Sequence, residues 1–219
     1  ARIARMDVDM ENPVITLSLE QLALTFIPVV ITLAILLRWS YGVGRATYAL
    51  GRMVIQLMAI GYVLAWIFQA NNGLLILMVL SIMLCSATWI AVGTVSEHRR
   101  HLLQAAFLSM LLGGGLTLLL ITQVALQIEP WYLPQYLVPL AGMVFANAMT
   151  AVSLAAERLY SELGHQVAWE EARIKAYHAA MIPVINSLLA VGLVSLPGMM
   201  TGQILSGVSP LVASRYQIM

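Results

Sequence analysis

The sequence predicts an all-α, polytopic transmembrane helix bundle with six complete spans and the start of a seventh. Three observations predict it. Hydrophobic residues make up 61% of the 219 and charged residues 10%, where soluble domains hold about 45–50% and about 25%. Mean hydropathy is +0.88. The apolar residues form continuous charge-free runs rather than the alternation a membrane barrel needs. This composition excludes a soluble globular protein, and charge this sparse excludes a disordered or nucleic-acid-binding chain. The net charge of +1 points to no acidic polymer as partner. Cys85, the lone cysteine, rules out an internal disulfide or a cysteine-based zinc site.

Charge-free runs place the spans in order. The first is Gln21 to Leu37, with Glu20 at its entry. Met53 to Ser96 carries no charge over 44 residues, too long for one span. Gln69-Ala70-Asn71-Asn72-Gly73 splits it into a hairpin. Residues 102–128 form the fourth span, with Gly113, Gly114 and Gly115 inside it. After Glu129-Pro130-Trp131-Tyr132-Leu133-Pro134 comes the fifth, 137–156. The sixth is expected over 179–206, and a seventh begins near Pro210. The run Ala1 to Asn12 is not expected to be a signal peptide, because a full-length span follows it with no small-residue cleavage site.

Lys and Arg set the expected orientation. One set of loops holds eight: Arg38, Arg45, Arg52, Arg99, Arg100, Arg158, Arg173 and Lys175. The other holds three: Arg2, Arg5 and Arg215. The first side is therefore expected in the cytoplasm and the N-terminus outside. Arg38, Arg45 and Arg52 recur every seven residues beside Trp39, Tyr41 and Tyr48, a pattern suited to lipid headgroups.

Residues 157–178 hold the densest charge. Leu159, Leu163 and Val167 recur every four residues as one helical stripe, with Glu157, Arg158, Glu162, Glu170 and Glu171 largely off it. Arg158/Glu162 and Glu171/Lys175 are i,i+4 pairs, each worth a few tenths of a kcal/mol. The fifth span is expected to continue into the cytoplasm as an amphipathic helix, either a solvated connector or a docking helix that lies in a partner's groove.

No Asp, Glu, Lys or Arg occupies the middle of any span. A charge there costs at least about 2.5 kcal/mol and usually marks a proton or ion relay, so the pattern argues against a proton-coupled pump. Gln56, Asn147, Asn186 and Ser195 are polar but uncharged; such groups pack helices together or line a path. Of 13 methionines, Met143 and Met149 flank Asn147, and Met199 and Met200 follow Pro197-Gly198. Thioethers either fill core gaps or hold a soft metal transiently. Gly198 and Gly202 form a GxxxG pair for close helix packing, and Pro197 is expected to bend its helix. No ligand cluster assigns a metal.

An intramembrane serine protease is the competing enzyme class, and the residues argue against it. Ser195 has no histidine in its span, since His98, His101, His165 and His178 all lie at span edges, and its spacing is not G-x-S-x-G. A phosphate-binding G-x-x-x-x-G-K-[ST] loop is also missing from the sequence.

Several strings together resemble one family. They are Arg52-Met53-Val54-Ile55-Gln56-Leu57 with Gly61-Tyr62-Val63-Leu64; Pro139-Leu140-Ala141-Gly142-Met143 with Asn147-Ala148-Met149; and Val191-Gly192-Leu193-Val194-Ser195-Leu196-Pro197-Gly198-Met199-Met200-Thr201-Gly202-Gln203-Ile204-Leu205, followed by Tyr216-Gln217-Ile218. Over residues 52–219 the chain resembles the Fet-type iron-export ABC permeases, related to the plant aluminium-tolerance half-transporters. The resemblance implies a single permease domain over 1–219 in the bacterial inner membrane, a homodimer served by a separate cytoplasmic ATPase, and export of iron or a related metal. It implies no cofactor in this chain and no enzyme activity of its own, with ATP and Mg bound by the partner. It also makes 157–178 the coupling segment, with Glu157, Arg158, Glu162, Glu170 and Glu171 facing the ATPase. Glu171-Ala172 would begin the family's Glu-Ala motif. Met143, Asn147, Met149, Asn186, Met199 and Met200 are the candidate path.

The family pattern departs from this sequence in two places. It carries a longer segment after the Glu-Ala position, with a Leu-Gly-Ala-Thr-Pro-like turn, where here Arg173 to His178 leads almost directly to Ile182-Pro183. It also continues beyond Tyr-Gln-Ile. Both stretches are expected in the whole protein. The competing reading of the residues is a stand-alone channel or secondary carrier; a structural scaffold is the third.

Overall fold

A computed structural model describes residues 18–39, 42–69, 72–95 and 99–218. Those residues are helical apart from short turns, with one isolated backbone bridge, Val191 to Ser195. Among the described residues nine α-helices follow in order: α1 Leu19–Leu24, α2 Ile27–Arg38, α3 Val43–Gln69, α4 Gly73–Ala91, α5 Arg99–Leu119, α6 Pro134–Gly164, α7 Trp169–Ala190, α8 Gly198–Leu205 and α9 Pro210–Ile218. The chain divides into two units, Ala1–Leu64 with Pro197–Ile218, and Ala65–Leu196.

In the first unit Ser18 caps α1. Its Oγ accepts from the Gln21 N–H at 3.2 Å, and its own N–H donates to Gln21 Oε1 at 2.9 Å. This capping box satisfies two of the donors that a helix start leaves free. The stretch Glu20–Arg38 is long and apolar enough to cross a membrane, yet it is two helices. Pro28 has no N–H to give to Leu24, so the chain turns at Thr25–Phe26 before α2 begins. At the other end of the chain, α8 and α9 pack on each other around the fully buried Ala213. Gly207 turns the chain between them with φ +87°, a conformation glycine adopts without penalty.

The second unit is built around α6, which packs against α4, α5 and α7. Glycine sets one of those approaches: a Cβ on Gly114 of α5 would stand 3.3 Å from the Phe145 ring, closer than ordinary contact. Ile76, Leu84, Met110, Leu118 and Phe145 fill the core between them. Thr88 is buried there without penalty because its hydroxyl donates to the Leu84 carbonyl at 2.8 Å. α5 ends by widening into a π-helical turn over Leu120–Ala125, and α4 tightens into a 3₁₀ turn over Val92–Thr94.

Five helical stretches among the described residues are long and apolar enough to span a membrane: Glu20–Arg38, Val43–Gln69, Gly73–Thr94, Arg99–Ala125 and Pro134–Gly164. The chain is therefore a multi-pass, all-α membrane protein. Four expected features come out as read. α3 and α4 are separated at 69–73, with Ala70 and Asn71 outside the described residues. The span at 137–156 continues beyond itself within α6. The fourth span ends in the loop before Pro134, and α9 begins at Pro210.

Two expectations are corrected. The sixth span, 179–206, is not one helix. α7 stops at Ala190, and a tight turn follows in which the Ala190 carbonyl accepts from the N–H groups of Leu193, Val194 and Ser195. Gly192 permits it at φ +84°. Pro197 then caps α8 from outside rather than bending a continuous helix. The segment 157–178 is likewise no single helix. α6 ends at Gly164, Gln166 takes φ +59°, and Val167 lies in the turn before α7. Its stripe with Leu159 and Leu163 is a spacing carried past the end of the helix. α7 in turn runs unbroken from Trp169 to Ala190, so in this chain Arg173–His178 joins Ile182-Pro183 as helix.

Candidate functional site

The charged residues of 157–178 sit on the hairpin formed by the end of α6 and the start of α7. A 31-residue α6 is about 46 Å long, against about 30 Å of bilayer hydrocarbon, so its charged end projects beyond the apolar stretch. α7 lies close against it because Ala172, Ala176 and Ala180, one helical turn apart, are buried at the contact. Small side chains at this spacing let two backbones approach.

Glu162 is the centre of the hairpin's charge. It is 9% exposed and lies between two cations. Arg158 Nη2 is 2.5 Å from Oε1, and Lys175 Nζ, across the turn on α7, is 3.0 Å from Oε2. Lys175 also meets Glu171 at 2.8 Å, and Arg173 meets Glu170 at 2.7 Å. The hydrogen bond from Lys175, reinforced by the Arg158 charge, outweighs desolvation and holds the Glu162 carboxyl below its ordinary range. Hydrogen bonds to Glu171 first and Glu162 second hold the Lys175 ammonium above its own. Four of the five expected coupling residues, Arg158, Glu162, Glu170 and Glu171, are thus tied into ion pairs within the hairpin, and Glu157 is exposed on α6. Lys175 binds the two helices together. Its pairing with Glu171 was readable at i,i+4; the bond to Glu162 spans thirteen positions and a turn, and no local spacing announces it.

Asn147 is the expected path residue with a polar setting. It lines a crevice of about 260 Å³ between α6 and α7 with Thr150, Pro183 and Ser187. Pro183 lies inside α7 and cannot donate to the Ala179 carbonyl, which loosens the helix beside the crevice. Met143, Met149 and Asn186 do not line it. Met199 and Met200 are on α8, in the other unit. Gly198 and Gly202 were expected to pack helices; within their own unit a Cβ on either would meet no atom within 4 Å. Among the described residues, no three His, Cys, Asp or Glu side chains gather to hold a metal ion. His98 lies outside the described residues.

One further contact was not foreseen. Arg99, the first residue of α5, lays its guanidinium 3.3 Å from the centroid of the Trp89 ring and donates to the Trp89 carbonyl at 2.8 Å.

Residues 19–219 match UPF0014, described as an uncharacterised protein family. A UPF0014 membrane protein of Synechocystis is 38% identical over 193 residues, covering 80% of this chain and 74% of the relative. The probable iron export permease protein FetB of Escherichia coli is 33% identical over 220 residues, 91% of this chain and 82% of its own length. The protein ALUMINUM SENSITIVE 3 of Arabidopsis thaliana is 34% identical over 209 residues, 87% of this chain and 75% of its own. No solved structure matches the chain.

Proposed function

The chain belongs to the UPF0014 family, and from that premise we propose that it is the permease subunit of an ATP-driven exporter moving iron or a related metal out of the cytoplasm. A separate cytoplasmic ATPase, holding ATP and Mg, supplies the energy; two copies of this chain form the path across the bacterial inner membrane, each with its N-terminus outside. The observation that carries the reading is the α6–α7 hairpin. It concentrates the chain's charge beyond the apolar part of its longest helix, and Glu162, Arg158, Lys175 and Glu171 brace it into one piece. A braced tip can receive a push. A connector whose task is only to stay in water has no use for a buried carboxylate shared between two helices.

In this mechanism the ATPase subunits close on ATP and displace the hairpin. The buried alanine contact carries α7 along with α6, and the motion reaches the crevice at Asn147, where Pro183 provides the flexible point. Inward-open and outward-open states alternate about that crevice. The cargo passes neutral oxygen donors, Asn147, Thr150 and Ser187, with no fixed charge to trap it.

The test is Glu171→Lys, which turns a paired carboxylate into a second cation beside Lys175. ATP-dependent metal efflux from cells carrying the variant is expected to fall to background while the protein still inserts. Efflux equal to the unaltered protein, in the presence of the ATPase, would remove the hairpin from the mechanism.

A further inference from the structure

Arg99 and Arg100 open α5, and His101 follows them. This is the unfavourable end for cations, since a helix N-terminus carries a partial positive charge of its own. Among the described residues no carboxylate pairs with either arginine, and the first turn of α5 contains no acid. The two arginines nevertheless line one pocket, about 380 Å³, with Trp89, Leu103 and Gln104. Arg99 is held in place there by the Trp89 ring on its face and the Trp89 carbonyl on one N–H. A guanidinium has five N–H donors, so that anchorage leaves others for a ligand. Arg100 and Gln104 are one helical turn apart on α5 and add donors on the same side.

The position of the pocket narrows the ligand. α4 is 19 residues long, about 28 Å, and so close to the hydrocarbon thickness that Trp89, in its last turn, sits at the headgroup boundary. Trp89 is 56% exposed, and Leu108, one turn beyond Gln104, is exposed as well; below the arginines the surface is apolar and suits an acyl chain.

We propose that the pocket formed by Trp89, Arg99, Arg100, Leu103 and Gln104 holds the phosphate of an anionic membrane phospholipid. Arginine binds phosphate through two parallel N–H bonds, and basic pockets between membrane helices take such headgroups. The lipid bridges α4 to α5 beside the 3₁₀ turn.

Native mass spectrometry of the purified full chain, offered equal amounts of phosphatidylglycerol and phosphatidylcholine, tests this. The unaltered protein is expected to retain phosphatidylglycerol in preference. Arg100→Gln, which leaves the Arg99–Trp89 contact intact, lowers that retention about fivefold; Arg100→Lys recovers part of it. Arg45→Gln, which removes another cation expected at headgroup level, leaves it unchanged. Equal retention of the two lipids would overturn the site. So would an Arg100→Gln variant that elutes as the parent and binds as well, or an equal loss in Arg45→Gln, which would reveal only diffuse charge. Displacement of the lipid by millimolar inorganic phosphate would assign the pocket to a soluble anion instead.

Discussion

Ala172→Leu probes the contact on which the proposed coupling depends. Ala172 has no solvent exposure and lies on the face of α7 that meets α6, with Ala176 and Ala180 on successive turns. Leucine forms helix nearly as readily as alanine, so any effect comes from the added volume and not from the backbone. Forcing extra methylenes into a closed contact costs about 1–3 kcal/mol. At about 2–4 °C per kcal/mol for a chain of this size, melting should fall by about 2–12 °C. The helices must also part, and the bond between Lys175 and Glu162, 3.0 Å across the same interface, would be lost. Tryptophan fluorescence during heating in detergent reads the first effect. Stimulation of a co-purified ATPase reads the second. Ile174→Ala, on the exposed face of α7, serves as the control and should change neither. If Ala172→Leu melts with the parent and still stimulates hydrolysis, close alanine packing does not brace the hairpin and the argument fails.

Other consequences can be measured separately. The Glu162 carboxyl titrates below its ordinary range when folded, so its contribution is present above that range and is lost as pH falls through it. Lys175 titrates above its ordinary range, so its contribution holds until pH rises past it. Melting should therefore be flat from about pH 6 to 9 and decline on either side, and Glu162→Gln should flatten the acid side. Pro183→Ala restores a hydrogen bond to the Ala179 carbonyl. It should raise thermal stability, by at most about 3 kcal/mol, while slowing transport; unchanged transport would show that α7 does not flex there. Gly114→Val places a methine 3.3 Å from Phe145 and 3.4 Å from Val144, a cost of about 1–3 kcal/mol visible as a lower melting temperature. Gly113→Ala, which meets nothing within 4 Å, should have no such effect.

The spans were legible where hydropathy and backbone agree. A charge-free run longer than one bilayer thickness, interrupted by Gln69 to Gly73, leaves few arrangements besides a hairpin. The turn at Val191–Pro197 was hidden because hydropathy does not register the backbone. Leu193 and Val194 are as apolar as a span requires, yet stand 90% and 84% exposed in a turn. Gly192 is no warning by itself, since glycine also sits inside membrane helices. Val167 misled for a related reason. A four-residue spacing is a property of the sequence, and nothing in it marks that the helix has ended at Gly164. The charges of the hairpin were found as a cluster, but their roles depend on which helix lies opposite. Glu162 looked like one half of a surface pair with Arg158 until α7 brought Lys175 to its other oxygen. The crevice at Asn147 was visible only through the asparagine; that Thr150, Pro183 and Ser187 line it too is a result of how α6 and α7 pack.

Because α6 is one helix through its whole length, it can act as a beam. Asn147 stands near its middle, with Pro134 at one end and Glu162 toward the other. When a beam rocks, its ends sweep the largest arcs and its centre moves least. A displacement delivered near Glu162 would therefore swing the two mouths of the path in opposite directions, while Asn147 kept almost the same place. A cargo held at the crevice would stay where it is as the openings on either side exchange.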